Sequence, residues 1–308
     1  MRILVVGLGL QGTKRRRVAG KDVVATVDTV RPEANYKNIK IVPIQSFDGA
    51  LICTPDQVKL ESIDYLLSHG KHVLVEKPLL ADDNKPLQEL RDISSSKSVT
   101  CYTAYNHRFE PNLVRLKALI EQGGMGTIYL AKLFYGNGTA RDVRSSPWRD
   151  QGMGVVTDLG SHLLDLVLFL FGERATEFQL WDAHRFENQS FDHFIAGISR
   201  PFAVELEATL VSWRNTFTVD VFGENGSAHI QGLCKWGPST LTVRQRVLPS
   251  GKPSEKVVVE HGPDPTWETE YKHFKDLAVQ GGTNLKNDLW INANLNFLGK
   301  QLCGEQIL

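Results

Sequence analysis

A chain of 308 residues is long for one core and, at roughly 100–200 residues per domain, argues for two. Its 35 basic and 35 acidic side chains cancel, which excludes a general electrostatic attraction to nucleic acid or to an anionic membrane surface. Cys53, Cys101, Cys234 and Cys303 form no Cys-x-x-Cys pair and no metal-like spacing with histidine, so reduced thiols and no metal are expected.

The apolar run Ile3-Leu4-Val5-Val6 is too short for a signal-peptide core and reads as a first strand. Further runs at Val23–Val27, Ala50–Cys53, Val73–Val75 and Val99–Thr103 alternate with helical patterns at Gln57–His69 and Asn84–Ser95. That alternation is the rhythm of βαβ units and a parallel sheet. The stretch Thr29–Gln45 is too irregular for a helix and predicts an abbreviated crossover. Beyond residue 110 the pattern predicts a helix over Asn112–Gln122, a strand over Thr127–Tyr135 and a buried helix around 155–171. β-type patterns then run from Thr176 to Val259, and helices near 267–279 and 286–302 close the chain. Strands in series without intervening helices predict an antiparallel or mixed sheet. The expectation is an α/β protein with a dinucleotide-binding domain over residues 1–110 and an α+β domain over 111–308. The most apolar segment, Leu163–Phe171, is about half a membrane span, so a soluble cytoplasmic protein is expected.

Gly7-Leu8-Gly9-Leu10-Gln11-Gly12 fits G-x-G-x-x-G directly after the first strand, and the second strand ends in Asp28. The first glycine permits the turn, the second lets the backbone approach a pyrophosphate, and the third lets the helix pack on the sheet. Free N–H groups around Leu10 and Gln11 would then face the anion. A merely structural turn is the other reading. Asp28 would accept hydrogen bonds from ribose hydroxyls and repel a 2′-phosphate, favouring NAD, while Arg31 leaves NADP open. Lys14-Arg15-Arg16-Arg17 lies in the following helix and reads as a solvated basic face.

The run His72-Val73-Leu74-Val75-Glu76-Lys77-Pro78 delivers Lys77 to a strand end, where open α/β sheets bind ligands. An unpartnered ammonium is costly to bury, so Lys77 either snorkels to water or points into a polar cleft. Asp158, His162 and Asp165 share one face of the buried helix, at about 3.6 residues per turn. His162 is then either an acid/base group in a cleft or a buried histidine satisfied by Asp158 or Asp165. The loop Gly136–Asp150 carries Arg141, Arg144, Trp148 and Arg149, a set suited to an anionic or sugar-bearing ligand. Solvated arginines pairing with Asp142 and Asp150 are the alternative.

The glycine motif, Glu76-Lys77-Pro78, Tyr105-Asn106-His107-Arg108-Phe109 and Asp158-x-Gly160-x-His162, in this order, resemble the Gfo/Idh/MocA family of glucose-fructose oxidoreductase and inositol dehydrogenase. The resemblance implies an N-terminal Rossmann domain and a C-terminal α+β domain whose open sheet makes a homodimer or homotetramer. It places Lys77 beside nicotinamide and the substrate hydroxyl, makes His162 the acid/base, and gives Asp158 a substrate-binding or histidine-orienting role. It also places Thr54, Pro55 and Glu76 on the cofactor side and Asn106 and Arg108 toward a sugar-type substrate, where the chemistry of the loop adds Arg144, Trp148 and Arg149. Asp56-Gln57 and the short Thr29–Gln45 segment depart from the family pattern. The implied activity is NAD(P)-dependent oxidation or reduction at a secondary alcohol or ketone of a sugar, cyclitol or nucleotide-sugar. A nucleotide-binding regulator without turnover and an NAD-assisted glycosidase are the alternatives.

Overall fold

The computed structural model describes residues 1–173 and 177–304, so Thr176, where the β-type pattern was expected to begin, lies outside the described residues. The first half of the chain gives β1 (Ile3–Val6), α1 (Leu10–Ala19), β2 (Val23–Val27), β3 (Gly49–Ile52), α2 (Lys59–Ser68), β4 (His72–Glu76), α3 (Lys85–Ser96) and β5 (Cys101–Ala104). These are the expected elements with ends shifted by a residue or two, and Thr29–Gln45 holds only short 3₁₀ turns at Ile39–Ile41 and Ile44–Ser46. The second half adds α4 (Pro111–Glu121), β6 (Ile128–Gly136), α5 (Ala140–Arg144), α6 (Val155–Phe171) and β7 (Gln179–His184). It continues through β8 (His193–Ile198), β9 (Ala203–Thr209), β10 (Thr216–Gly223), β11 (Gly226–Gln231), β12 (Ser239–Gln245) and β13 (Ser254–Glu260) to α7 (Thr266–Gln280) and α8 (Leu285–Gly304).

Contacts divide the chain into two units: Met1–Asn106 with Thr266–Ala293, and His107–Pro265 with the described residues from Asn294 onward. A single boundary near residue 110 therefore misses the return of Thr266–Ala293 to the first unit. That return has a physical reason in unpaired strand groups. The first sheet is parallel with order β2-β1-β3-β4-β5, which leaves one edge of β5 open. Asn284 closes it, its Oδ1 accepting from the Thr103 N–H at 2.8 Å and its Nδ2 donating to the Thr103 carbonyl at 2.9 Å. Thr283 Oγ1 donates to the Cys101 carbonyl at 2.6 Å, and the Thr103 hydroxyl donates to Asp288 at 2.9 Å. An edge strand capped by side chains cannot pair with another chain.

The core strands of the first unit, Ile3–Val6, Gly49–Ile52 and Val73–Val75, are buried on both faces, as a parallel sheet covered by helices requires. Truncating one of these core leucines or isoleucines to alanine would destabilise by about 2–5 kcal/mol.

The second sheet runs β13-β12-β11-β10-β6-β9-β8-β7 and is antiparallel except where β6 lies parallel to β9. Its inner face alternates cleanly: Ala131, Leu133 and Tyr135 on β6, Val204, Leu206 and Ala208 on β9, and Phe217, Val219 and Val221 on β10 are buried. Helix α6 packs on this face against β6, β8 and β9. Gly160 is the contact point, because a Cβ there would lie 2.9 Å from the Phe194 ring. The helix is bounded by Gly154 (φ 52°) and Gly172 (φ 75°), both in the left-handed region that favours glycine. Among the described residues no helix is long and apolar enough to cross a membrane.

Candidate active site

In the first sheet the chain reverses direction between β1, which neighbours β2, and β3, and that switch point is where such sheets bind ligands. Gly7 leaves β1 at φ 89°, and a Cβ on it would lie 2.6 Å from the Cys53 carbonyl oxygen at the end of β3. Gly12 is buried, and a Cβ there would collide with the Gly7 carbonyl. Gly9, the N-cap of α1, is the contrasting position. A Cβ there would meet nothing within 4 Å, so the backbone borders open space at a helix N-terminus. Leu10 and Gln11 are exposed on the same first turn. At the end of β3 the buried hydroxyl of Thr54 has no hydrogen-bond partner among the described residues, and Pro55 follows it, exposed. An anion cradle with an orphaned hydroxyl beside it fits the pyrophosphate and ribose of a dinucleotide.

Asp28 closes the other end. Its carboxylate accepts from the N–H groups of Leu8 at 2.6 Å and of Val30 and Arg31 at 2.8 Å. Burial alone would raise its pKa, but these backbone donors, with the nearby Arg31 charge, outweigh burial and hold the carboxyl below its usual range. The charge that would reject a 2′-phosphate is thereby kept at any working pH, and Arg31 stands exposed beside it.

Lys77 follows β4 and is half-buried. Both of its neighbours are anchored. Glu76 accepts from Arg15 Nε at 2.6 Å, and Arg15 also pairs with Glu270 on α7 at 2.7 Å. Trp267 covers the guanidinium, with Arg15 Cζ 4.2 Å and Lys14 Nζ 3.6 Å from its ring centre. Pro78 is held by buried Lys59, whose ammonium donates to its carbonyl at 2.9 Å and pairs with Asp56 at 2.6 Å. The departure at Asp56 thus has a structural use. Arg15 corrects the reading of Lys14–Arg17 as a solvated face: it is 1% exposed and two carboxylates hold it. Asn106 is also in this unit, buried and donating to the Thr266 hydroxyl at 2.7 Å.

The second unit gathers Asp158, His162 and Asp165 on α6, as their spacing predicts. Asp158 is half-buried, while His162 and Asp165 are buried. Asp165 accepts from Arg108 Nε at 2.8 Å and pairs with its other nitrogen at 2.7 Å. Burial raises the Asp165 carboxyl and the guanidinium offsets this in part. Arg108 therefore has a structural partner where a substrate contact was expected, and Asp165 is engaged by arginine. His162 stacks on His107, with ring centres 4.1 Å apart and planes inclined by 19°. Tyr135 tilts against both rings at 5.4 and 5.9 Å, and Lys235 donates to Tyr135 Oη at 2.9 Å and lies 3.3 Å from His107 Nε2. Burial, then the field of Asp158, pushes the Tyr135 phenol well above its usual range, so it is a neutral hydrogen-bonding group.

The loop after β6 carries the unforeseen helix α5. Arg141 and Arg144 with Ser145, Phe186 and Glu187 line an open groove of about 670 Å³. Arg141 lies 3.9 Å from Glu187 and Arg149 lies 3.8 Å from Asp158, linking the loop to the α6 face. Trp148 is exposed. Asp150 is buried and accepts from the Ser190 N–H at 2.8 Å and the Ser190 hydroxyl at 3.0 Å; burial alone would raise its carboxyl, but these bonds and the Gln189 N–H, with a smaller contribution from Arg144, hold it below the usual range.

Two family models match this chain: an oxidoreductase family with an NAD-binding Rossmann fold over residues 15–105, and the GFO/IDH/MocA C-terminal domain over residues 113–229. The chain belongs to the Gfo/Idh/MocA oxidoreductase family. An oxidoreductase of Schizosaccharomyces pombe, C26H5.09c, is 30% identical over 158 residues, covering 48% of this chain and 42% of that protein. The myo-inositol 2-dehydrogenase of Thermotoga maritima is 27% identical over 199 residues, covering 58% and 57%. These matches span about half the length of the curated relatives. In fold, levoglucosan dehydrogenase in complex with NADH superposes with a TM-score of 0.82 at 18% identity, covering 99% of this chain and 97% of that one.

Within this Gfo/Idh/MocA chain, the roles of Tyr135, Lys235 and Glu270 have no signal in the sequence, while Arg15 shows only as part of a basic run and His107 only as part of a motif. Lys235 sits in a short 3₁₀ turn, Cys234–Trp236, with Gly232 and Gly237 on either side. A lysine between turn glycines carries no local signal, and its partners lie 100 and 128 residues away in sequence.

Proposed function

We propose that this chain is an NAD(P)-dependent oxidoreductase that interconverts a secondary alcohol and a ketone on a sugar, cyclitol or nucleotide-sugar. The observation that carries this reading is Lys77 at the end of a strand in the same sheet whose switch point holds the glycine cradle. The bound nicotinamide supplies the hydride acceptor or donor. Gly9, the first turn of α1, Asp28 and Thr54 hold the dinucleotide, with NAD favoured by the Asp28 charge. The Lys77 ammonium holds the reacting oxygen and stabilises alkoxide character on it. His162 takes the hydroxyl proton during oxidation and returns it during reduction, a role worth about 10²–10⁴ in rate. Asp158 binds the substrate or orients His162, and Arg144, Trp148 and Arg149 contact the more distant, anionic or sugar-bearing part. The myo-inositol 2-dehydrogenase relative supports a polyhydroxylated substrate. The outer face of the second sheet, where Trp181 lies over Gly197, supports self-association as a homodimer or homotetramer.

The test is the nicotinamide absorbance band followed with a panel of sugars, cyclitols and nucleotide-sugars, for the wild type and for Lys77→Ala. Turnover in the wild type that falls at least about a hundredfold in Lys77→Ala is expected. Undiminished turnover in the variant would sink the mechanism. Cofactor binding without redox change across the panel would mark a regulator instead, and glycoside cleavage without net cofactor reduction would mark a glycosidase.

A further inference from the structure

The second unit presents an arrangement that the roles above leave unused: buried His107 and Tyr135 grouped with half-buried Lys235 beside His162. We infer that Lys235 is a positioning residue that keeps His107 neutral, as the tautomer protonated on Nδ1, so that any further proton the stacked imidazole pair takes up goes to His162. This rests on the reading of His162 as the acid/base group.

Lys235 Nζ lies 3.3 Å from His107 Nε2. A hydrogen bond between an amine and an imidazole nitrogen needs one proton between them. Lysine is the stronger base by about four pKa units, so the ammonium donates and Nε2 must offer a lone pair. The second Lys235 contact, to Tyr135 Oη at 2.9 Å, fixes the ammonium where it can do this, and its position over the Trp236 ring at 4.4 Å further favours the cation. His107 cannot then become an imidazolium without losing that bond and placing two cations in contact.

The consequence passes through the stack. Parallel rings with centres 4.1 Å apart cannot both be charged without strong repulsion, so the two histidines titrate as a pair. With His107 held neutral, the proton that leaves a substrate hydroxyl has one destination in the pair. Charged and titratable groups on the elements around the stack include Asp158 and Asp165 on α6, Arg108 bound to Asp165, Arg149 paired with Asp158, Glu110 held by the Cys234 N–H, and Tyr135 kept neutral by burial. Lys235 places a cation in direct contact with the stack through His107.

The test is histidine-selective NMR on the full chain, with the His107 resonance assigned by His107→Gln. In the wild type His107 should stay neutral and protonated on Nδ1 between about pH 5.5 and 8.5. In Lys235→Met, His107 should titrate and the acidic limb of the kcat/KM profile should move up by about half a unit or more, because a nearby cation no longer opposes protonation. Lys235→Arg, which keeps a charged donor, should restore the wild-type behaviour of His107. A wild-type His107 that titrates in the ordinary range overturns the inference whether or not any variant folds, as does a His107 that stays neutral in Lys235→Met. His162→Asn separates the two claims: undiminished turnover there would remove His162 as acid/base, while the His107 titration would still decide the role of Lys235.

Discussion

Gly7 and Gly9 stand two residues apart in the same turn, and the structure assigns them opposite sensitivities to one added methyl group. At Gly7 an alanine Cβ would lie 2.6 Å from the Cys53 carbonyl oxygen and 2.8 Å from its carbon, on a backbone at φ 89°. The left-handed conformation costs about 1–2 kcal/mol and overpacking against backbone about 1–3 kcal/mol more, so Gly7→Ala should lose roughly 2–5 kcal/mol. At Gly9 the backbone is extended (φ −67°, ψ −166°) and a Cβ finds open space, so Gly9→Ala should change stability by no more than about 0.5 kcal/mol. Open space in the protein becomes contact once a pyrophosphate lies there. A methyl group that pushes the anion off even one charge-assisted N–H bond forfeits about 1.5–3 kcal/mol, which is roughly tenfold to a hundredfold in NADH affinity. The assay pairs urea unfolding of the cofactor-free protein with fluorescence titration of NADH. Gly9→Ala that binds NADH like the wild type would refute the placement of the dinucleotide. Gly9→Ala as unstable as Gly7→Ala would refute the geometric argument itself.

Arg15→Met leaves two buried carboxylates, Glu76 and Glu270, without their cation and should cost about 3–5 kcal/mol in urea unfolding; a loss below about 1 kcal/mol would remove the ion trio from the account of Lys77 placement. Asp28→Asn keeps an acceptor oxygen and removes the charge, so the ratio of NADH to NADPH affinity should fall by about tenfold or more, and an unchanged ratio would take Asp28 out of ribose recognition. Glu110 is buried, and burial pushes its carboxyl above the ordinary 4.5, partly opposed by the Cys234 N–H and thiol. A raised carboxylate is penalised when ionised in the folded state, so its contribution to stability is present below 4.5 and lost as pH rises beyond the raised value. The melting temperature of Glu110→Gln relative to wild type should therefore rise between about pH 4 and pH 7, and a difference that shrinks over that window would contradict the burial argument. Among the thiols, Cys101 and Cys234 are buried and Cys53 is raised by burial, whereas Cys303 is exposed. Native protein should accordingly show one fast-reacting thiol with Ellman's reagent, assigned by Cys303→Ser.

Elements whose signal is local were legible in the sequence. The apolar runs around Val5, Leu51 and Leu74 specified strands because a parallel sheet buries both faces. The Asp158, His162, Asp165 face followed from helical periodicity alone. What did not show in the sequence was who holds whom. Arg15 sits in a basic run that looks solvated, and only the return of α7 supplies Glu270 and Trp267. Arg108 was expected toward substrate, yet its guanidinium fits Asp165, 57 residues away. Helix α5, at five residues, is too short for any periodicity to announce.

The capping of β5 by Asn284 has a consequence for how the chain is made. The first unit is discontinuous in sequence, so its five strands leave the ribosome long before Thr283, Asn284 and Asp288 exist to cover the edge. At about 5–20 residues per second the delay is on the order of ten to thirty seconds, during which a nearly complete sheet displays an open, apolar, untethered strand. Vectorial synthesis thus makes Cys101–Ala104 the segment through which nascent copies would associate wrongly, and the stretch a holding chaperone would need to shield.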